Sequence, residues 1–80
     1  MHMILIDKPF GLNLKKLRKA CHLTQIEVVA RMQLMGSSLE RSALANIEAG
    51  RRNIKVSDLR YLKAIYDVDY DAFFDYAEEE

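Results

Sequence analysis

The sequence holds one cysteine, one proline, three glycines and no tryptophan, and its formal net charge is zero. Each shortage excludes something. With Cys21 alone no intramolecular disulfide can form, which suits a reducing cytoplasm. The apolar run of residues 3–6 is too short for a signal peptide or a membrane span, and nothing later approaches about 18 apolar residues. A soluble, cytoplasmic chain with no membrane contact is therefore expected. No glycine-rich phosphate loop, paired-carboxylate constellation or Ser/His/Asp arrangement stands out, so an enzyme is not expected and no cofactor is implied. A metal is not implied either, because zinc needs about four ligands and Cys21, His22 and His2 do not supply them at a recognisable spacing.

Eighty residues make one domain at most, and half of them are apolar, which predicts a compact helical core or a dimer. The zero net charge hides a segregation. Residues 1–60 carry eleven Lys or Arg against five Asp or Glu, and residues 61–80 carry one Lys against seven acids. A polyanion responds to the local field within a Debye length of about 8 to 10 Å, so the surplus of six positive charges matters more than the sum.

Two helical patterns organise the middle of the chain. Thr24 is a good N-cap and Glu27, three residues on, completes a capping box, so a helix should begin at Gln25. Leu23 and Val28 can close a hydrophobic staple across the same end. The second pattern covers residues 40–49, with Gly50 where a C-cap needs a left-handed residue. At 100° per residue Leu44 and Ile47 fall together, with Ala43 and Glu40 beside them. Ser42, Ala45, Asn46 and Ala49 point the opposite way, Arg41 lies on their flank, and Arg51, Arg52 and Lys55 follow the helix. Small side chains allow close approach, and Arg and Asn can form paired hydrogen bonds to guanine and adenine edges.

The run LTQIEVVARM followed by SALANIEAGRR resembles the helix-turn-helix of lambda repressor and Cro-type (XRE-like) DNA-binding regulators, over residues 14–74. The resemblance implies an all-α, five-helix lambda-repressor-like domain, here with a short N-terminal strand or arm. One departure stands out: residues 33–43 separate Met32 from Leu44, more than the family's commonest tight turn. The stretch QLMGSSL reads as an extra helical turn over residues 33–35, Gly36 as cap and Ser37-Ser38 as loop, which would change the angle of the second helix.

Along the chain, residues 1–11 read as an arm or strand, 12–77 as the domain and 78–80 as an acidic tail. The strand-like residues 3–6 must join a core or pair with a second subunit, and Pro9 forbids their simple continuation into a helix. A first helix is predicted from Asn13 as cap, with a Leu12 to Leu17 staple and Leu14, Leu17 and Cys21 on one stripe. Arg18 shares that stripe. It needs a partner, and Glu48 on the core side of the later helix is the candidate, a pair the resemblance also implies. The alternative is that Arg18 buries only its stem and keeps its head in water. Cys21 reads as a small core residue and His22 as a helix-ending residue where the family often has glycine.

After the loop RRNIKV, in which Ile54 and Val56 tuck inward, Ser57 caps a helix with Leu59, Leu62, Ile65 and Tyr66 on its apolar side. A last helix from Asp69 sets Tyr70, Phe73, Phe74 and Ala77 on one face, mostly core with a share available for a dimer contact, and the acidic end should fray.

The expected function is sequence-specific binding of double-stranded DNA by a regulator of phage-repressor, restriction-controller or antitoxin type. By analogy with the family, Arg41, Ser42, Ala45 and Asn46 read base edges, Gln25 contacts phosphate or braces the reading helix, and Arg51, Arg52 and Asn53 hold the backbone. Glu40 either caps the helix or accepts from a cytosine amino group. A homodimer is expected, since this architecture commonly sets two copies about 34 Å apart on a near-palindromic site. The rival reading is a helix-turn-helix used as a protein-binding module, with residues 67–80 as the contact surface.

Overall fold

The computed structural model describes residues 3–4 and 7–75. They form β1 (Met3–Ile4), α1 (Lys8–Ala20), α2 (Gln25–Leu34), α3 (Arg41–Glu48), β2 (Ile54–Lys55), α4 (Val56–Tyr66) and α5 (Asp71–Phe74). The five helices enclose one core in which Leu14 of α1, Val28 and Met32 of α2, Leu44 and Ile47 of α3, Leu62 of α4 and Phe73 of α5 are fully buried.

The N-terminal strand pairs within its own chain. Met3 lies opposite Lys55 and Ile4 opposite Ile54 in a two-residue antiparallel ladder, so part of the segment expected as a loop after α3 is strand. Leu5 and Ile6 of the expected strand lie outside the described residues.

The first helix begins five residues before the predicted cap. Asp7 is the N-cap, its Oδ1 accepting from Phe10 N at 3.0 Å, and Pro9 sits in the first turn. Proline is tolerated there because the first amides of a helix have no intrahelical acceptor. Residues 8–11 thus belong to the helix and not to an arm. Asn13, far from capping, is buried inside α1 and donates through Nδ2 to the carbonyls of Ala72 and Phe73, both at 2.8 Å, tying α1 to α5. Gly11 lets α1 cross the end of α3 closely: a Cβ there would come within 2.5 Å of the Ile47 carbonyl oxygen.

Further along, α2 starts at the capping box Thr24/Glu27 and stops at Met35, with Gly36 at φ 111°. His22 ends α1 in the left-handed region at φ 57°. Gly50 follows α3 at φ 76°, and a side chain there would also strike Lys8. Ser57 does not cap: α4 opens at Val56, with Lys55 at the cap position and no side-chain capping bond. Ile54 is buried but Val56 is exposed, because β2 ends at Lys55 and Val56, already the first residue of α4, no longer follows the strand's alternation. The last helix has four residues; its Phe73 is buried, while Phe74 and the preceding Tyr70 are 52% and 42% exposed. One helical turn can direct only one large ring into so small a core. Ala77 and the acidic tail lie outside the described residues. No helix among the described residues is long and apolar enough to cross a membrane.

Candidate nucleic-acid interface

Both ends of α3 are tied to the scaffold. At its C-terminal end Glu48 is buried and receives Arg18 in a two-pronged ion pair, Nε to Oε2 at 2.8 Å and Nη2 to Oε1 at 3.0 Å. Arg18 also donates through Nη1 to the Leu23 carbonyl at 2.8 Å, and Gln25 Nε2 donates to Glu48 Oε1 at 2.9 Å. One carboxylate therefore joins α1, the start of α2 and the end of α3. Of the two arrangements open for Arg18, the paired one is present, and the guanidinium is held above its ordinary pKa first by the hydrogen bond to Glu48. Gln25 braces α3 directly. Tyr66, packed beneath, has its hydroxyl pKa pushed up by burial and then by the Glu48 charge.

The outward side of α3 matches the helical projection. Arg41, Ser42 and Asn46 are exposed and Ala45 is half-buried, while Ala43, Leu44, Ile47 and Glu48 face inward. Glu40 occupies the N-cap position and is exposed, but its side chain makes no capping bond, so the capping role is removed. Arg51 and Arg52 are exposed just beyond the helix, and Asn53 is half-buried.

Two concavities flank the start of α3. One is lined by Lys15, Lys19, His22, Thr24, Gln25, Ile26 and Arg41 with the paired Arg18, and no carboxylate lines it. The other gathers Ser38, Ser42, Arg52 and Lys55 with Glu40 and Asp58. Lys8, Lys15 and Lys19 of α1 join these flanks. With α1 starting at Lys8, the spacing Lys8, Leu12, Lys15, Lys19 is one stripe of a helix, and Lys8, Leu12 and Lys15 line a depression beside Gln25, Ala45 and Ala49 of the α3 side. A helix capped at Asn13 would leave Lys8 and Leu12 off that stripe. Among the described residues no group of His, Cys, Asp and Glu is placed to hold a metal ion.

No protein-family model matches this chain, and no curated protein matches it either. Among solved structures it is similar to the restriction-modification controller protein C.AhdI from Aeromonas hydrophila, with 27% identity over 84% of this chain and 94% of that one and a TM-score of 0.73. The fold is that of a helix-turn-helix controller. Within it, α2 and α3 are the helix-turn-helix pair; Arg41 of α3 shares one concavity with Lys15 and Lys19 of α1, and Ser42 shares another with Arg52.

Proposed function

We infer that this chain is a sequence-specific, double-stranded DNA-binding transcriptional regulator that sets α3 into the major groove. The observation that carries the reading is the lean outward face of α3, with Arg41, Ser42 and Asn46 free to reach base edges beside the half-buried Ala45. Arg51, Arg52 and Asn53 hold the sugar-phosphate backbone, Lys15 and Lys19 add positive charge on the opposite flank, and Gln25 acts as a brace. Likeness to a restriction-modification controller favours a controller-type role over a phage repressor or an antitoxin. A homodimer on a near-palindromic site supplies the affinity that one small helix lacks.

Selection of bound duplexes from a random library at two salt concentrations tests this. One motif should be enriched, and affinity should drop steeply as salt rises through counterion release. Recovery of no motif, with salt-independent binding, would overturn the reading. The rival, a protein-binding module acting through residues 67–80, is favoured by the exposure of Tyr70 and Phe74 in an acidic segment. It is the outcome left if the selection returns nothing while those two aromatics prove necessary for capture of a protein partner.

A further inference from the structure

The long connection between α2 and α3 is held at both sides. Gln33 Nε2 of α2 donates to the Leu39 carbonyl at 3.0 Å, and Leu39 N donates to Ser37 Oγ at 3.0 Å. Ser37 Oγ in turn donates to Asp58 Oδ1 of α4 at 2.7 Å. Asp58 is 4% exposed and Leu39 6%, so this clip lies largely out of water, where a charge-assisted bond is worth more than on the surface. Leu39 immediately precedes Glu40, the N-cap position of a helix that has no side-chain cap of its own. The Arg18, Glu48 and Gln25 network anchors the other end. Two anchors define the direction of a rod.

We propose that Ser37 and Asp58 are positioning residues for the reading helix: their hydrogen bond fixes the angle at which α3 meets a duplex. The proposal rests on the DNA-reading function inferred above. An eight-residue helix is roughly 12 Å long, so a tilt of roughly 10° about its anchored C-terminal end moves Arg41 by about 2 Å. That displacement exceeds the tolerance of a hydrogen bond to a base edge. Arg51 and Arg52 lie beyond the anchored end and stay in place. Loss of the clip therefore removes sequence discrimination and spares non-specific binding.

The test compares affinity for the selected duplex with affinity for a scrambled one, at one salt concentration, for the full chain. Asp58→Ala and Ser37→Ala should each cut the specific-to-scrambled ratio about tenfold with scrambled binding unchanged within about twofold, and the double variant should be no worse than either single one. Asp58→Asn, whose amide oxygen still accepts from Ser37, should restore the ratio. Asp58 also lines the concavity that holds Arg52 and Lys55, so an Asp58→Asn variant as poor as Asp58→Ala would assign the effect to charge and overturn the proposal. An unchanged ratio, or equal loss on both duplexes, would overturn it too. Amide exchange provides a reading without DNA: Ser37→Ala should speed exchange at Leu39 and at Leu44, whose amide bonds Glu40 O at 3.1 Å. Unaltered exchange at both would sink the clip whatever the duplexes do. A wild-type chain that selects no motif would instead defeat the DNA-reading function, and the proposal with it.

Discussion

Glu48 is a charge taken out of water and then surrounded by donors. Arg18 and Gln25 satisfy both of its oxygens, so the group is stable only as a set. Glu48→Ala should leave the Arg18 guanidinium buried without its carboxylate and lower unfolding stability by about 3 kcal/mol; urea denaturation with an unchanged midpoint would contradict this. Tyr66 is the opposite case. Its hydroxyl is buried with no hydrogen-bond partner among the described residues. Tyr66→Phe should leave stability unchanged or raise it by roughly 1 kcal/mol, whereas a clear loss in thermal unfolding would mean the hydroxyl is in fact satisfied. The DNA-reading function proposed above divides the roles on the outer side of α3 by reach. Arg41→Ala or Asn46→Ala should cost roughly 1 to 3 kcal/mol and relax preference at particular base pairs, while Arg51→Ala should weaken all duplexes alike. Identical base preferences for Arg41→Ala and Arg51→Ala, read by competition binding, would refute the division.

Among the elements, α2 shows how far local chemistry carries a boundary. Thr24 Oγ1 accepts from Glu27 N at 3.1 Å, and Thr24 N donates to Glu27 Oε1 at 3.0 Å, which is the reciprocal pair the four-residue pattern encodes. The bond from the Thr24 backbone, then that with its side chain, holds the Glu27 carboxyl below its ordinary range. A depressed folded value means that this contribution is present above the unfolded carboxylate pKa of about 4.3 and is lost as pH falls through the folded value. An acid titration followed by NMR should show the Thr24 amide shifting with the Glu27 carboxyl; a Thr24 amide indifferent to pH would deny the box. For α1 local cap chemistry does not decide, and the cap is Asp7 in place of the expected Asn13. Asn13 and Asp7 are equally good cap types in the sequence, and the choice fell to contacts 59 and 60 residues away, where Asn13 bonds the α5 backbone. For α5, periodicity placed four apolar residues on one side of a helix, but one described turn leaves Phe74 and Tyr70 in contact with solvent. Phe74 stacks at 5.3 Å from Phe10, and Lys63 lies over the Tyr70 ring.

At the scale of the whole molecule, Tyr70 and Phe74 are large rings that the core leaves exposed. If two copies meet through α5, Phe74→Glu should shift sedimentation equilibrium from dimer to monomer at micromolar concentration and leave the helical content unchanged. A wild-type chain that sediments as a monomer would remove the dimer, and a Phe74→Glu dimer would relocate its interface.

The sequence by itself determined the capping box that opens α2, the left-handed stop at Gly50 and the core side of α3, each from relations within a few residues. The resemblance added the helix end at His22 and favoured the pairing of Arg18 with Glu48 over a solvated Arg18. Tertiary structure alone decided that Asp7 caps an α1 beginning at Lys8, that residues 3–4 pair with Ile54–Lys55, and that Gly11 lies against the end of α3. It also decided that Ser37 reaches Asp58. Those features join segments distant in the chain, and no local propensity distinguishes them until the helices pack and leave one acceptor, one strand edge and one narrow crossing to be satisfied.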